Sequence, residues 1–189
     1  MGYFPFFTDV TRLRGVIIGG GTVAFEKVTR LLPFEAKLTL IAIDICDEIK
    51  QYESKIEFIE DEYRSDYLDR ADYVIAATNI PDLNRQIYAD AKKRKLQVNV
   101  VDVPEYCDFI FPSVLQKGKL VVGVSSGGAA PRVAIRLRNE IEKLIPENIE
   151  EVLDYLFEER KRAKETISDP LERKKYLIGL ADKLLHYEE

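Results

Sequence analysis

The stretch Leu13-Arg-Gly-Val-Ile-Ile-Gly-Gly-Gly-Thr-Val-Ala-Phe-Glu-Lys-Val-Thr-Arg-Leu-Leu32 decides how the chain is read. Val16 to Ile18 is a short apolar run of the kind that forms a buried strand; Gly19, Gly20 and Gly21 follow, and a helical pattern starts at Thr22. Strand, glycine turn and helix in that order place Gly19, Gly21 and Ala24 on the spacing G-x-G-x-x-G/A. Each position has a physical task. Gly19 permits the tight turn, Gly21 lets a pyrophosphate come close to the backbone, and small Ala24 lets the helix pack closely on the strand. The helix start adds unpaired N–H groups and a positive dipole end, so Gly19, Gly20, Gly21, Thr22 and Val23 together predict a dinucleotide site. A glycine triplet by itself also serves ordinary tight turns. The strand before it and the helix after it favour the dinucleotide.

The composition suits a globular chain of 189 residues: 46% hydrophobic, 32% charged, with a formal net charge of −5. That length leaves room for one domain of ordinary size and an appendage. A net negative charge disfavours a general nucleic-acid partner. Cys46 and Cys107 have neither metal-ligand spacing nor the numbers for a disulfide framework, which fits a reducing cytoplasm. The opening Met-Gly-Tyr-Phe-Pro-Phe-Phe-Thr-Asp lacks a basic region ahead of a long apolar core, so no signal peptide is expected. No apolar stretch approaches the roughly 20 residues of a spanning helix, so no membrane partner is expected.

Further along, strands are expected at Lys37–Ile43, Glu57–Ile59, Asp72–Ala77 and Val98–Val101, with a short turn or helix at Asp66–Asp69 and a helix at Pro81–Lys95. Strands alternating with helices predict an α/β, Rossmann-like, doubly wound parallel sheet. Near Asp108 the pattern changes. Phe109–Phe111, Ser113–Gln116 and Lys119–Val124 are short β-rich runs with a hairpin signal at Lys117-Gly118. Ser125-Ser-Gly-Gly128 then precedes a helix opened by Pro131 and broken at Pro146, and two charged helices follow at about Ile149–Thr166 and Pro170–Tyr187. The division expected is a dinucleotide domain at 1–112, a small β-rich and helical dimerisation and substrate segment at 113–146, and a helical C-terminal region at 147–189.

Several residues could carry chemistry. Asp44 ends the second strand 25 positions after Gly19, where an acidic residue commonly holds the ribose hydroxyls of NAD; it could equally cap the helix that follows. Thr78 and Asn79 follow the carboxyl end of a strand, the edge at which open α/β sheets bind ligands, or else they form a loop bonded to itself. Asp102 ends Asn99-Val-Val-Asp102 at that same edge. A carboxylate there can move a proton or hold a divalent ion, or simply cap the turn before Pro104. Ser125, Ser126, Gly127 and Gly128, with Arg132, Arg136 and Arg138 on the next helix, suit an anion, or a turn and a solvated helix face. His186, the only histidine, lies near the terminus and is not expected to act.

Taken together, three motifs resemble one family: Val16-Ile-Ile-Gly-Gly-Gly-Thr-Val-Ala24, Asn99-Val-Val-Asp-x-Pro-Glu-x-Cys-Asp-Phe-Ile-Phe-Pro-Ser113 and Val122-Gly-Val-Ser-Ser-Gly-Gly-Ala-Ala-Pro-Arg-Val-Ala134. They look like the precorrin-2 dehydrogenases of sirohaem biosynthesis, including the N-terminal half of sirohaem synthase and the related dehydrogenase/ferrochelatase. The resemblance runs from about Tyr3 to Pro146. It implies NAD-dependent oxidation of precorrin-2 to sirohydrochlorin within a homodimer, with ferrous iron inserted by some members. It also implies Asp102 as the catalytic residue, and Ser125, Ser126, Gly127 and Arg132 as contacts for a carboxylate-rich tetrapyrrole. Ala129-Ala130 departs from the hydroxyl residue that relatives often carry there. The competing reading is a non-catalytic regulator that senses NAD or binds a tetrapyrrole.

Overall fold

The computed structural model describes residues 2–185. Strands β1 (Arg14–Ile18), β2 (Lys37–Ala42), β3 (Glu57–Glu60), β4 (Tyr73–Ala76) and β5 (Gln97–Val100) form one parallel sheet in the order β3-β2-β1-β4-β5. The near-continuous apolar sequences of β1 and β4 reflect a sheet buried on both faces. All four residues of β4 are buried, as are four of the five in β1. Gly15 sits in β1 because the phenol ring of Tyr73, its register partner on β4, occupies the place where a Cβ would stand.

Helices α1 (Thr22–Leu31), α2 (Asp47–Lys50) and α3 (Pro81–Lys93) fill the connections. α1 buries Ala24 and Val28, one turn apart, and α3 buries Ile87 and Ala91 in the same way. The core on one side gathers Val16, Ile18, Ile41, Val74, Val98, Val100 and Ile87. The segment between β3 and β4 carries only a 3₁₀ turn, Ser65–Leu68, whose Leu68 plugs into that core.

The chain divides into two compact units, one of residues 2–110 and one beginning at residue 111; the sequence reading instead placed its divisions after 112 and 146. In the second unit β6 (Ser113–Lys117) and β7 (Leu120–Val124) form an antiparallel hairpin. Gly118 has φ +54° and Lys119 is not left-handed, the pattern of a type II′ turn with glycine first. The tight turn is therefore Gly118-Lys119, one residue later than expected. Helices α4 (Pro131–Leu144), α5 (Ile149–Thr166) and α6 (Pro170–Leu185) complete it, with Tyr176 on α6 donating a 2.7 Å hydrogen bond to buried Glu159 on α5.

Two expectations are corrected. Phe109–Phe111 is not a strand: the Phe109 carbonyl is taken by the Asn99 side chain at 2.8 Å, and its ring packs edge-on against Tyr73. β5 ends at Val100, so Asp102 belongs to a turn beyond the strand. His186 and Tyr187 lie outside the described residues.

Candidate functional site

The carboxyl ends of β1 to β5 border one cleft of about 840 Å³. It opens where the connections from β1 and β4 diverge to opposite sides, the place where sheets of this kind bind ligands. Gly19, Gly20, Gly21, Thr22, Val23, Asp44, Thr78, Asn79 and Asp102 all line it. The structure thus brings together nine residues that are spread over more than 80 positions of sequence.

The three glycines do different work. Gly19 has φ +118°, and a Cβ there would collide with the Ala77 carbonyl at the end of β4. A Cβ on Gly20 would strike the Asp44 carbonyl, and the Cys46 N–H already donates to the Gly20 carbonyl at 2.9 Å. Gly19 and Gly20 therefore lock the β1 turn between its neighbours. Gly21 is different. Its backbone is extended (φ −92°, ψ −169°), any residue could adopt it, and a Cβ would meet nothing within 4 Å. The fold gives no reason for glycine at 21, and its bare backbone is open to close approach from the cleft. Gly21 is also the N-cap of α1 and supplies no side-chain cap, so the first N–H groups of α1 face the cleft without a protein partner.

The Asp44 side chain is exposed and makes no hydrogen bond; the N-cap of α2 is Cys46, so the capping alternative for Asp44 does not hold. Thr78 combines both readings. It borders the cleft, yet its hydroxyl donates to Asn84 Oδ1 at 2.7 Å and accepts from the Ile80 N–H at 3.2 Å, tying the loop to α3. Asn79 is exposed with its side chain uncommitted.

Asp102 adopts a left-handed backbone, φ +62°. The Val103 N–H donates to the Val100 carbonyl at 3.2 Å, which puts Asp102 at the third position of a closed turn, where type II geometry favours Gly or Asn. For an Asp this costs about 1–2 kcal/mol. The 3₁₀ turn after it, Pro104–Tyr106, is capped by Val103 without a side-chain bond, so Asp102 is no cap. Its exposed carboxylate is held at the cleft by backbone that the rest of the loop has to stabilise.

Sequence reasoning missed five residues at or near the cleft. Lys27 on α1 is half-buried, and burial lowers its pKa, opposed by the charges of Glu26, Asp102 and Cys107. It lies in the second turn of the helix that the glycine motif opens, but nothing in its spacing marks it. Asp61, Glu62 and Tyr63 follow β3 and line the cleft, as the sheet-edge rule would have suggested. The Tyr63 hydroxyl donates to Asp90 at 3.2 Å, and burial, reinforced by that carboxylate, pushes its pKa up. Cys107 sits beneath the Asp102 turn.

Ser125, Ser126, Gly127 and Arg132 belong to the second unit. Ser125 Oγ accepts from the Gly127 N–H at 3.1 Å and Ser126 Oγ from the Ala130 N–H at 3.0 Å, so both hydroxyls shape the loop into α4. Gly127 and Gly128 have φ of +62° and +87°, which explains both glycines. Arg132 is exposed, while Arg138 pairs with Glu142 at 3.0 Å. Among the described residues no helix is long and apolar enough to cross a membrane.

Residues 6–113 match the family model described as "Putative NAD(P)-binding", and residues 117–144 match the one described as "Sirohaem biosynthesis protein central". Among curated proteins the chain is 35% identical to the siroheme synthase of Photorhabdus laumondii over 93% of its own length and 38% of that protein. It is 35% identical to the siroheme synthase of Buchnera aphidicola over 98% of its length and 39% of that protein. It therefore spans under two-fifths of these relatives. The fold matches that of SirC, precorrin-2 dehydrogenase, with a TM-score of 0.80 at 19% identity, covering 98% of this chain and 93% of that one.

Proposed function

The chain belongs to the NAD(P)-binding family, and from that premise we propose that it oxidises precorrin-2 to sirohydrochlorin with NAD, in sirohaem biosynthesis. The observation that carries the cofactor half is Gly21, a glycine the fold does not need, at the mouth of a helix whose first N–H groups lack a cap. The pyrophosphate would lie along Gly19–Val23 and the ribose hydroxyls on Asp44, whose negative charge favours NAD over a 2′-phosphorylated cofactor. Support for the substrate comes from the names of the relatives, the second family match and the likeness to a precorrin-2 dehydrogenase.

The nicotinamide, when bound, supplies the acceptor for a hydride. The chain supplies the rest. Asp102 borders the same cleft and is the group we assign to take the proton that must also leave the substrate. Ser125, Ser126, Gly127 and Arg132 are the proposed contacts for substrate carboxylates, with Arg132 offering paired donors. The active form is proposed to be a homodimer in the cytoplasm, where two free cysteines are stable.

The test is anaerobic turnover of precorrin-2 with NAD, with and without ferrous iron. Sirohydrochlorin with matching NADH is expected, and iron-dependent conversion to sirohaem would add chelation. NAD binding without turnover would overturn the enzyme in favour of a regulator.

A further inference from the structure

We propose that Cys107 is a positioning residue for Asp102, its thiol clamping the turn that presents the carboxylate to the cleft. This rests on the catalytic reading of Asp102 given above. The Cys107 Sγ lies 3.1 Å from the Val100 carbonyl oxygen and 3.3 Å from that of Val103, the two residues that open and close the turn. One thiol proton can serve only one of them at a time, but either bond ties the base of the turn to the returning chain. The Val100 carbonyl is also the acceptor for the Val103 N–H that closes the turn. On its outer side Val101 N–H donates to the Ala76 carbonyl at 3.0 Å, which fixes the turn to β4.

The thiol is itself held. The Asn99 side chain is 7% exposed, and its Nδ2 donates to the Phe109 carbonyl at 2.8 Å and reaches the Cys107 sulfur at 3.5 Å. Next to it Asp108 accepts from the Val98 N–H at 3.0 Å and returns its own N–H to the Val98 carbonyl at 2.8 Å, while Lys92 pairs with its carboxylate. Tyr106 stacks on Tyr88 of α3 with ring centroids 4.5 Å apart. Asn99, Cys107 and Asp108 thus form a brace around a loop whose free corner is Asp102. Burial pushes the Cys107 thiol above its ordinary pKa, so it keeps the proton that makes it a donor. A left-handed aspartate needs such a frame, since a residue in that region persists only where its surroundings over-determine it.

The experiment compares Cys107→Ala, Cys107→Val and Cys107→Ser with the parent in two readouts. Removing the donor (Ala, or Val where volume matters) should lower kcat by up to the roughly 10²-fold that a misplacement of about 1 Å costs, with KM and NAD affinity unchanged. It should also speed hydrogen exchange of the Val103 N–H, seen by NMR, without altering the amides of β1 and β4. Cys107→Ser, which keeps a donor, should recover most of both. Parental kcat together with parental Val103 exchange in Cys107→Ala and Cys107→Val would overturn the inference. If the parent itself does not oxidise precorrin-2, the proposed function fails, and the exchange rates alone then decide whether Cys107 clamps the turn.

Discussion

All four residues of β4 are buried in the unit of residues 2–110, whereas the hairpin β6–β7 of the second unit buries only Leu115. The difference follows from what covers each sheet. Parallel strands need crossover helices, and these cover both faces, so the strands can be apolar throughout. A two-stranded hairpin has too little surface to bury and is marginal alone. α4, which packs against it, leaves Val133 at 52%, Leu137 at 50% and Leu144 at 80% exposure. The first unit is a finished frame and can hold a strained turn such as that of Asp102. The second carries an apolar face in search of a partner, which is the ground for the proposed homodimer.

The largest effect expected is chemical and confined to the first unit. Asp102→Asn should cut turnover by roughly 10²–10⁴-fold, the range for lost general-base help. Asparagine tolerates a left-handed backbone at least as well as aspartate, so the melting temperature and NAD affinity should hold. Oxidation at the parental rate would remove Asp102 from the mechanism, and a large fall in melting temperature would make it structural after all.

The glycine loop offers a contrast within a few residues. Gly21→Val should abolish measurable NAD binding in calorimetry while leaving stability almost untouched, because its side chain enters open space. Gly20→Ala should instead lower stability. Its Cβ would meet the Asp44 carbonyl, and relieving that clash should cost about 1–3 kcal/mol of stability. Equal loss of stability in the two variants would mean that Gly21 is a packing residue as well.

For the second unit, light scattering at micromolar concentration should give twice the 21.7 kDa chain mass. Leu137→Glu combined with Leu144→Glu should halve it and leave NAD binding intact. A parent that scatters as a monomer would leave the exposed face of α4 without its proposed role.

The fold was legible because its signals are local: apolar runs of strand length, a glycine turn, and prolines at Pro81 and Pro131 that open α3 and α4. That residues at the strand ends would border one cleft was legible for the same reason, since the topology of such sheets opens a crevice at that edge. The misses are tertiary. Phe109–Phe111 has strand propensity, but side-chain bonds from Asn99 claim the backbone that a strand would use. The roles of Gly20 and Cys107 arise from contacts with Asp44 and with Val100 and Val103, and no periodicity reports those.

The smallest effect expected concerns a flaw in the better-packed unit. Tyr73 is 7% exposed, and its hydroxyl has no hydrogen-bond partner. Burial alone pushes its pKa up from 10.0 to about 12. The folded-state value lies above the unfolded one, so the ionised form is disfavoured by folding. Stability is therefore undiminished below pH 10 and is lost as the pH rises from there toward 12, by about 1.4 kcal/mol per pH unit in that window. Tyr73→Phe keeps the ring that fills the space over Gly15 and its edge-on contact with Phe109, and removes only the unpartnered oxygen. At pH 7 the variant should match the parent to within about 1 kcal/mol, since no hydrogen bond is lost. In urea unfolding at pH 11 it should be the more stable of the two. Identical alkaline limbs would mean that the Tyr73 phenol is reached by water in solution, and the first unit's core would then be less tightly closed than its burial indicates.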